Sequence, residues 1–433
     1  MKVDVVLGLQ WGDEGKGKIV DVLARNYPVI CRFQGGPNAG HSLQFSGKSF
    51  VLHSVPAGVF RKNTVNLIGN GVVLDPVIFR QECLDIAKMG VNPTENIIIS
   101  KRAHLILPTH RIMDAASEAS LGKAKIGSTL KGITPTYTDK TARKGLRVGD
   151  VLAGDFSKKY NSLTQRHLLL LKQYGFQYQR GKIKNEAASM EFNLKDLEAE
   201  WAEAVDFLKK FRIADLEYEI DSLLKTNKAL AEGAQGTMLD VEFGAYPFVT
   251  SSSTICAGAC TGLGIAPSKI GKVFGVFKAY CTRVGSGPFP TELSDAVGEE
   301  IRQKGHEFGA TTGRPRRTGW LDLPALKYAI MIDGVTDLIM MKADVLDTFD
   351  TIKIAVGYKV GGKKTDKVPF DPDTKVEPVY KEFKGWKKDL TKCKSAEDLP
   401  AAFKRYIAFI EKELGVRISY VSVGPDRSQT IKL

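Results

Sequence analysis

The sequence predicts an α/β fold with a large, mostly parallel central β-sheet flanked by helices. Two observations support this prediction. The apolar run "VDVVLGL" is followed by a helical pattern from about Lys16 and then by "PVICRFQ", which is a βαβ opening. Strand-like runs then recur along the chain: "TVNLIGNGVVL", "NIIIS", "KALAEGAQG", "VFGVFKAYCTRV", "DLIMMKADVL" and "FDTIKIAVGY".

The chain is expected to form a single α/β domain over residues 1–433. Between about 154 and 227 the pattern becomes helical and strongly charged, as in "DLEAEWAEAVDFLKKF". This change predicts a mainly helical insertion that covers one face of the core. Small β insertions are expected as well.

Composition argues against several classes of protein. No apolar run approaches the ~18 residues of a membrane span, and the first residues lack a signal-peptide pattern, so we expect a cytoplasmic protein with no membrane partner. The six cysteines and six histidines are scattered, which indicates neither a disulfide framework nor a zinc site.

The net charge of +13 would attract phosphate groups of any kind. Much of the excess lies in the lysine-rich segment 359–394, where lysines alternate with Asp, Glu, Pro and Gly. This mixture predicts a solvated, loop-rich surface, and we expect no nucleic-acid partner.

The stretch "WGDEGKGK" follows the first strand-like run and fits a phosphate-binding loop. Gly12, Gly17 and Lys18 have the spacing G-x-x-x-x-G-K. Glycines let the backbone approach a phosphate closely, while Lys16, Lys18 and the start of the following helix add positive charge. The stretch therefore predicts a P-loop-like nucleotide-binding core. A glycine-rich turn without a ligand is the less favoured alternative.

Two features of this loop are unusual. Ile19 occupies the position where the motif has a Ser or Thr hydroxyl for magnesium, and Asp13 places a carboxylate inside a loop suited to anions. A carboxylate beside phosphates requires a cation or a proton to accept. Asp13 could therefore bind magnesium or act as a general base, or it could only cap the helix.

A second polar cluster is "RFQGGPNAGHS", residues 32–42. It places His41 at an expected exposed βα turn, where α/β enzymes locate their chemistry. The alternative is a buried histidine with its hydrogen bonds satisfied. Glycines on both sides of Asn38 favour open backbone. Asp13 and His41 together would form an acid–base pair.

The segments "GLQWGDEGKGKIVD" and "QGGPNAGH" resemble the two signature loops of adenylosuccinate synthetases. These enzymes join inosine monophosphate (IMP) to L-aspartate with GTP as co-substrate, releasing GDP and phosphate in the first committed step from IMP to AMP. The resemblance spans nearly the whole chain in the family's order: "LHSVPAGVF", "IGNGVVLDP", "TARKGLRVGD", "EGAQGTMLD", "YPFVTSSST", "TRVGSGPFPTEL", "EFGATTGRPRRTGWLD", "MKADVLD" and "VGPDR".

The resemblance implies a mechanism in which GTP phosphorylates the 6-oxygen of IMP and the amine of aspartate then displaces phosphate. Asp13 would take the proton from N1 of the base, and His41 would supply a proton at the oxygen. Lys16 and Gln235 complete the implied catalytic set. Mg²⁺ would be held by Asp13 and the carbonyl of Gly40, which would account for the missing hydroxyl.

The resemblance also implies three binding sets and a homodimer. Arg143 is the residue that the family supplies from the neighbouring subunit. The implied GTP set is Gly12, Asp13, Glu14, Gly15, Lys16, Gly17, Lys18, Gly40, His41, Ser42, Arg316, Lys342, Ala343, Asp344, Ser422, Val423 and Gly424. The implied IMP set is Asp13, Lys16, Asn38, Ala39, Gly40, His41, Thr129, Arg143, Gln235, Thr250 and Arg314. The implied aspartate set is Ala310, Thr311, Thr312, Gly313, Arg314, Pro315 and Arg316.

The segment "MKADVLD" is similar to the guanine-binding element of GTP-binding proteins. The Asp344 carboxylate only accepts hydrogen bonds, so it matches the N1–H and 2-amino donors of guanine and has no such partners on adenine. Lys342 would pack along the base. An ordinary strand end is the alternative.

Three positions depart from the family's pattern. "STLKGITPTY", residues 128–137, replaces a glycine-rich segment, with Leu130, Lys131 and Thr134 at its unusual positions. Pro315 interrupts an arginine run and lacks an N–H donor. Val423 stands where a hydroxyl residue is common.

Two other functional classes remain as alternatives. A regulatory GTP-binding switch would share the phosphate loop and "MKADVLD" but would leave His41 and "EFGATTGRPR" without a role. A nucleic-acid binder would account for the net charge, but the sequence has no aromatic and basic platform for it.

Overall fold

The computed structural model describes residues 1–45, 47–121, 127–185, 188–309, 313 and 315–433. Ala310, Thr311, Thr312 and Arg314, which the sequence assigns to aspartate or IMP, lie outside the described residues. Among the described residues no helix is both long and apolar enough to cross a membrane.

The described strands, in chain order, are β1 (Val3–Gly8), β2 (Val29–Gly35), β3 (His41–Phe45), β4 (Lys48–Leu52), β5 (Val65–Leu74), β6 (Ile97–Ser100), β7 (His104–Leu105), β8 (Arg180–Lys184), β9 (Ser189–Asn193), β10 (Arg212–Ala214), β11 (Ala229–Glu232), β12 (Ile270–Lys278), β13 (Cys281–Arg283), β14 (Arg317–Gly319), β15 (Leu321–Asp322), β16 (Asp337–Met341), β17 (Thr351–Val360), β18 (Lys363–Thr365), β19 (Glu377–Lys384), β20 (Ile418–Ser422) and β21 (Thr430–Lys432).

The described α-helices are α1 (Lys16–Ala24), α2 (Pro76–Ala87), α3 (Pro93–Asn96), α4 (Pro108–Ser120), α5 (Ile133–Thr141), α6 (Phe156–Gln173), α7 (Leu194–Leu208), α8 (Leu216–Leu223), α9 (Cys256–Leu263), α10 (Ala296–Lys304), α11 (Leu323–Asp333) and α12 (Ala401–Leu414).

The central sheet has the strand order β10-β6-β5-β2-β11-β1-β12-β16-β20-β21, with β7 paired to β5. The strand pairs are parallel except for β20 and β21. Strands β1 and β2 are buried along their whole length, as expected of strands covered on both faces. The predicted α/β fold, with a mostly parallel sheet flanked by helices, is confirmed.

The carboxyl ends of the parallel strands position the site. The loops after β2, β11 and β1 follow strands at the centre of the sheet, and the loops after β16 and β20 follow strands nearer its β21 edge. Because these strands are parallel, their loops emerge at the same edge. Every site loop that the sequence predicts from a strand end therefore lies on one side of the molecule.

Several smaller elements lie outside the central sheet, including the two-stranded pairs β3–β4 and β13–β14. The described residues between 156 and 223 form α6, the hairpin β8–β9, α7 and α8, and they also contribute β10, which pairs with β6 at the edge of the central sheet. Strands β15, β17, β18 and β19 form a separate four-stranded sheet. Within the lysine-rich segment 359–394, the end of β17, β18 and β19 belong to this sheet, whereas 366–376 and 385–394 lie outside strands. Most of the segment is therefore loop, as expected, but it also contains strands that the sequence did not predict. Alternating exposure along β17 gives the strand one buried face.

Candidate active site

The first loop is held open by three residues with positive φ. Gly12, Asp13 and Gly15 have φ of 82°, 61° and 89°. Successive residues of this kind turn backbone N–H groups toward one concave surface, which suits an anion. Helix α1 begins at Lys16 with Gly15 as its N-cap residue and without a side-chain cap. The alternative that Asp13 only caps the helix is therefore wrong.

Glu14 is buried beneath this loop. Its carboxylate accepts hydrogen bonds from the N–H groups of Gln10 (3.1 Å) and Gly12 (2.9 Å), and it pairs with the ammonium of Lys16 at 2.6 Å. Lys16 is 4% exposed. Glu14 therefore fixes the loop's shape, and Lys16 must exchange this ion pair before it can contact a phosphate.

Asp13 points outward and has a cation as its partner. Its side chain is 36% exposed, and its Oδ2 lies 2.8 Å from Nε of Arg316. The Nε–H of Arg316 does not point at an acceptor, so the contact is an ion pair rather than a hydrogen bond. The positive charge beside this carboxylate is thus a guanidinium, whereas the sequence led us to expect a magnesium ion or a substrate proton there.

Arg316 is held from the other side by Glu307, a fully buried carboxylate. Glu307 accepts hydrogen bonds from Nη1 of Arg316 (2.7 Å) and from the ammonium groups of Lys278 (2.8 Å) and Lys342 (2.9 Å). Burial alone would raise the pKa of Glu307, but these three cations outweigh it and lower that pKa. Glu307 connects the predicted guanine-binding lysine to the arginine beside Asp13.

His41 occupies a different environment from the one predicted. The sequence placed it at an exposed βα turn, but it begins β3 of a β-hairpin and is 6% exposed. Its Nδ1 contacts Glu232, which also accepts hydrogen bonds from Nη1 of Arg32 (3.1 Å) and the N–H of Ala57 (2.8 Å). The packing of His41 therefore matches the alternative given for it, a buried histidine with polar partners.

Burial and the neighbouring Arg32 lower the pKa of His41 to about 4, although Glu232 opposes this shift. His41 is therefore a neutral imidazole near pH 7. Because the Glu232 carboxylate only accepts hydrogen bonds, we assign the ring proton to Nδ1; Nε2 then carries none and can accept from Nη1 of Arg32 at 3.3 Å. Before it donates a proton at Nε2, this ring must first take one up there, and the negative charge of bound phosphates would favour that uptake.

The loops at the strand ends pack closely against one another at positions where glycine leaves room. A Cβ added to Gly17 would lie 2.8 Å from Cβ of His41, so the first turn of α1 packs directly against the histidine. A Cβ added to Gly35 would lie 3.2 Å from Oε1 of Gln235. Among the described residues, the buried oxygens Oδ1 of Asn38 and Oε1 of Gln235 find no hydrogen-bond partner. A polar ligand at this edge can supply one.

Two side chains at positions that depart from the family's pattern connect the predicted IMP loops. Lys131 donates to the carbonyl of Pro37 (2.7 Å), and the hydroxyls of Thr134 and Ser251 lie 2.9 Å apart. The first contact holds the segment that carries Thr129 against the second polar cluster, and the second joins that segment to the one that carries Thr250. Ala39 is buried within that cluster, and Gly40 and Ser42 flank His41.

The predicted GTP residues near the carboxyl end of the chain are also in mutual contact. Lys18 donates to Oγ of Ser422 (2.8 Å) and to the carbonyl of Gly424 (2.7 Å), and burial lowers its pKa to about 8. The N–H of Val423 donates to Gln429 (3.0 Å), so it is already used within the protein. Lys18 therefore joins the first loop to the last one.

The loop after β16 contains the other predicted guanine contacts. Lys342 has φ of 56° and donates to the carbonyl of Gly305 (2.6 Å) as well as to Glu307. Ala343 is buried, and Asp344 is half-buried. Burial raises the pKa of Asp344, opposed by Lys342 and Lys18.

The remaining predicted residues lie at the margins of this cluster. Arg143 is exposed, with φ of 61°, just after α5. Pro315 forms a bridge with Phe308, which closes the base of the segment that carries the predicted aspartate residues, and Gly313 is exposed within that segment.

Sequence reasoning missed Arg32, Glu232 and Glu307. Arg32 and Glu232 stand in otherwise apolar strands, "PVICRFQ" and "KALAEGAQG", where an ionisable residue is unusual. Their strands are neighbours, and the two residues are in register. A charged residue inside a predicted buried strand was thus the available signal, but only the strand order shows that the two form a pair.

Comparison with known proteins agrees with this architecture. The adenylosuccinate synthetase family model matches residues 5–431. The chain is 58% identical over 432 residues to the adenylosuccinate synthetase of Parabacteroides distasonis, covering 100% of this chain and 99% of that protein. The same identity and coverage hold for the Bacteroides fragilis protein. The solved structure of fully ligated adenylosuccinate synthetase from Plasmodium falciparum is 37% identical, with a TM-score of 0.91 and full coverage of both chains. This chain belongs to the adenylosuccinate synthetase family.

Proposed function

We propose that this chain, which as a member of the family catalyses GTP-dependent ligation of IMP and L-aspartate in AMP synthesis, does so through a 6-phosphoryl-IMP intermediate. The observation that carries the proposal is that two acid–base groups in unlike environments lie in loops at the same edge of the sheet. Asp13 is outward-facing, whereas His41 is buried and neutral. Groups in such different environments can take opposite roles at the same pH.

In this proposal Asp13 removes the proton from N1 of IMP, which leaves negative charge on O6. That oxygen attacks the γ-phosphorus of GTP, and GDP leaves. The amine of aspartate then attacks C6, and phosphate departs with the former O6. His41 hydrogen-bonds the reacting oxygen, and Glu232 stabilises the charge that the ring acquires when it takes up a proton.

Lys16 and Gln235 are the two further catalytic residues that we propose. Lys16 lies in the first turn of α1, where it can exchange Glu14 for a phosphate. The unpartnered Oε1 of Gln235 is available to a polar substrate atom. The remaining IMP, aspartate and GTP contacts are proposed at the positions given under Sequence analysis.

The residues present fit a magnesium ion. Mg²⁺ prefers oxygen ligands, and the Asp13 carboxylate and the Gly40 carbonyl are of that kind. Asp13 already pairs with one cation, Arg316, at its outward face. When bound, Mg²⁺ would neutralise charge on the transferring phosphates. The role of the chain is to orient Asp13, and Arg316 must release that carboxylate first.

The proposed assembly is a homodimer in which Arg143 reaches the neighbouring site. Arg143 is exposed and lies at the end of a helix, so its guanidinium is available to another surface. The proposed location is the cytoplasm, because all six cysteines are free thiols, as is usual in a reducing compartment.

Product analysis tests the ligase. Purified protein with GTP, Mg²⁺, L-aspartate and IMP labelled with ¹⁸O at position 6 should give equal amounts of adenylosuccinate, GDP and phosphate, with the label in the phosphate. Formation of adenylosuccinate with unlabelled phosphate would contradict the intermediate, because O6 would then have left without being phosphorylated. Phosphate release that ignores both IMP and aspartate would instead indicate a GTP-binding switch.

Subunit mixing tests the shared site. Asp13→Asn and Arg143→Leu proteins, each inactive alone, should recover activity when mixed, because one hybrid site has both native residues. No recovery, although mixed dimers form, would contradict the composite site.

A further inference from the structure

Three helices meet at one carboxylate away from the substrate loops. Asp139 of α5 accepts through Oδ2 from Nε2 of His110 on α4 (3.0 Å) and from Nε2 of His167 on α6 (2.7 Å). Both histidines are 0% exposed and Asp139 is 4% exposed. Their ring centroids lie 4.6 Å apart. None of the residues in this triad, His110–Asp139–His167, belongs to the proposed catalytic set.

Two histidines and a carboxylate this close together could in principle bind a metal ion. The surrounding donors argue against it. The N–H of Leu107 donates to Nδ1 of His110 (2.9 Å), so Nδ1 carries no proton and Nε2 does. That proton points at Asp139. If a metal bound Nε2, the ring proton would have to sit on Nδ1, where it would face the N–H of Leu107, another donor. The triad is therefore a hydrogen-bonded network in which each Nε2 keeps its proton.

The other ring follows the same pattern. Nδ1 of His167 lies 2.7 Å from the hydroxyl of Thr109, which can donate to it. Nε2–H is then free to donate to Asp139. Hydrogen bonds from both rings, with the opposing effect of burial, lower the pKa of Asp139. The carboxylate is therefore ionised, and its Oδ2 accepts one hydrogen bond from α4 and one from α6.

The main chain of Asp139 connects this network to Arg143. Helix α5 ends at Thr141, and the carbonyl of Asp139 accepts from the N–H groups of Lys144 (2.9 Å) and Gly145 (3.2 Å). Arg143 lies within this closed turn, in the left-handed region at φ of 61°. One residue thus anchors the helix through its side chain and closes the turn through its carbonyl.

Helix α4 also anchors the other end of α5. One turn after His110, Asp114 accepts from the hydroxyl of Ser128 (2.6 Å) and from the N–H of Gly132 (2.9 Å). Gly132 is the N-cap residue of α5. Both ends of α5 are therefore attached to one face of α4, so a loss at the triad would release only the Arg143 end.

We propose that Asp139, through its bonds to His110 and His167, is a positioning residue that holds Arg143 in the orientation needed to contact IMP in the neighbouring subunit. This inference rests on the proposed shared site, and it assigns the residue that orients Arg143, the side chain that one subunit contributes to the other's site. Because the triad touches no substrate, its loss should weaken IMP binding and spare the chemical step.

The test uses the full-length dimer and three variants. Asp139→Asn should raise KM for IMP about tenfold, equivalent to about 1.4 kcal/mol, with kcat and the KM for GTP nearly unchanged. His167→Leu should have a similar effect. His167→Gln should restore most of the affinity, because its amide N–H can replace Nε2–H. Rescue by Gln but not Leu keeps the test valid if Asp139→Asn does not fold.

Arg166→Gln is the matched control. Arg166 approaches the other oxygen of Asp139 at 3.4 Å from a partly exposed position, so both histidine bonds remain in this variant. Its KM for IMP should stay close to native. Equal increases for all three substrates in Asp139→Asn, or a folded Asp139→Asn dimer with native KM for IMP, would overturn the inference.

Hybrid dimers separate this inference from the shared site itself. Mixing Asp139→Asn with Asp13→Asn subunits creates a site with native Asp13 and an intact arm from the partner, so native KM for IMP should return. A persistently high KM, when the Arg143→Leu and Asp13→Asn mixture does recover activity, would reject only the positioning role. No recovery in either mixture would reject the shared site.

Discussion

Two buried carboxylates support the two proposed acid–base groups, and they do so in different ways. Glu232 lies at the end of a central strand and contacts His41 directly. Glu307 lies after α10 and reaches Asp13 only through Arg316. Both carboxylates are 0% exposed.

The difference lies in what each arrangement allows to move. His41 is enclosed with Glu232 and Arg32 inside the sheet, so the fold fixes its position before any substrate binds. Asp13 is more than a third exposed and held by an ion pair that it can exchange for a metal or a substrate proton. We infer that the histidine side of the site is pre-organised, whereas the aspartate side is completed by its ligands.

The largest expected effect is on the exchangeable side. Asp13→Asn should reduce kcat by about a thousandfold, since an amide cannot take the proton from N1. Folding and GTP affinity should be nearly unchanged, because the side chain is exposed. Steady-state kinetics, thermal melting and GTP titration measure these quantities, and near-normal turnover would refute the assigned role.

A smaller loss is expected on the pre-organised side. His41→Asn should lower kcat by about a hundredfold, because Asn can keep a hydrogen bond to Glu232 but cannot exchange a proton at the reacting oxygen. GTP affinity should again be nearly native. Glu232→Gln should lose less activity than Asp13→Asn or His41→Asn, because Glu232 only supports a reacting group. Equal losses in all three variants would contradict this distinction.

The pH dependence of stability should distinguish the two sides as well. The pKa of His41 is about 4 in the folded chain against an ordinary 6.5, so the unfolded chain binds the extra proton between these values. Stability therefore falls as pH falls through this range. Between pH 7 and 5, the stability advantage of the native chain over His41→Asn should shrink by about 2 kcal/mol, measured by urea unfolding. Asp13→Asn is the control and should show no such change. A constant gap for His41→Asn would indicate that its imidazole is not buried as described.

The smallest predicted effect concerns the guanine contact, which Glu307 supports through Lys342. Asp344→Asn should lower kcat/KM for GTP about tenfold, because an amide offers one acceptor where the base presents two donors. It should also favour xanthosine triphosphate, whose 2-oxo group accepts from the new amide. Competition assays with the two nucleotides measure the ratio. An unchanged preference for GTP would remove Asp344 from base recognition.

The sequence alone determined the α/β class, the first strands and helices, and the positions of the glycine-rich loops between them. It could do so because these features are local: an apolar run followed by glycines specifies a strand and a turn wherever the chain places them. Gly12 and Gly15 illustrate this, since both take positive φ in a turn between the predicted strand and the predicted helix.

The tertiary structure decided the environment of each reactive group. Glu232 and Arg32 are separated by 200 residues and meet only because β11 and β2 are neighbours in the sheet. His41, which the sequence placed in an exposed turn, is buried beside this pair, and burial together with the charge of Arg32 lowers its pKa. Glu307 likewise gathers Lys278, Arg316 and Lys342 from separate segments. Burial and charge pairing depend on residues that are far apart in the sequence, so a local sequence pattern cannot predict them.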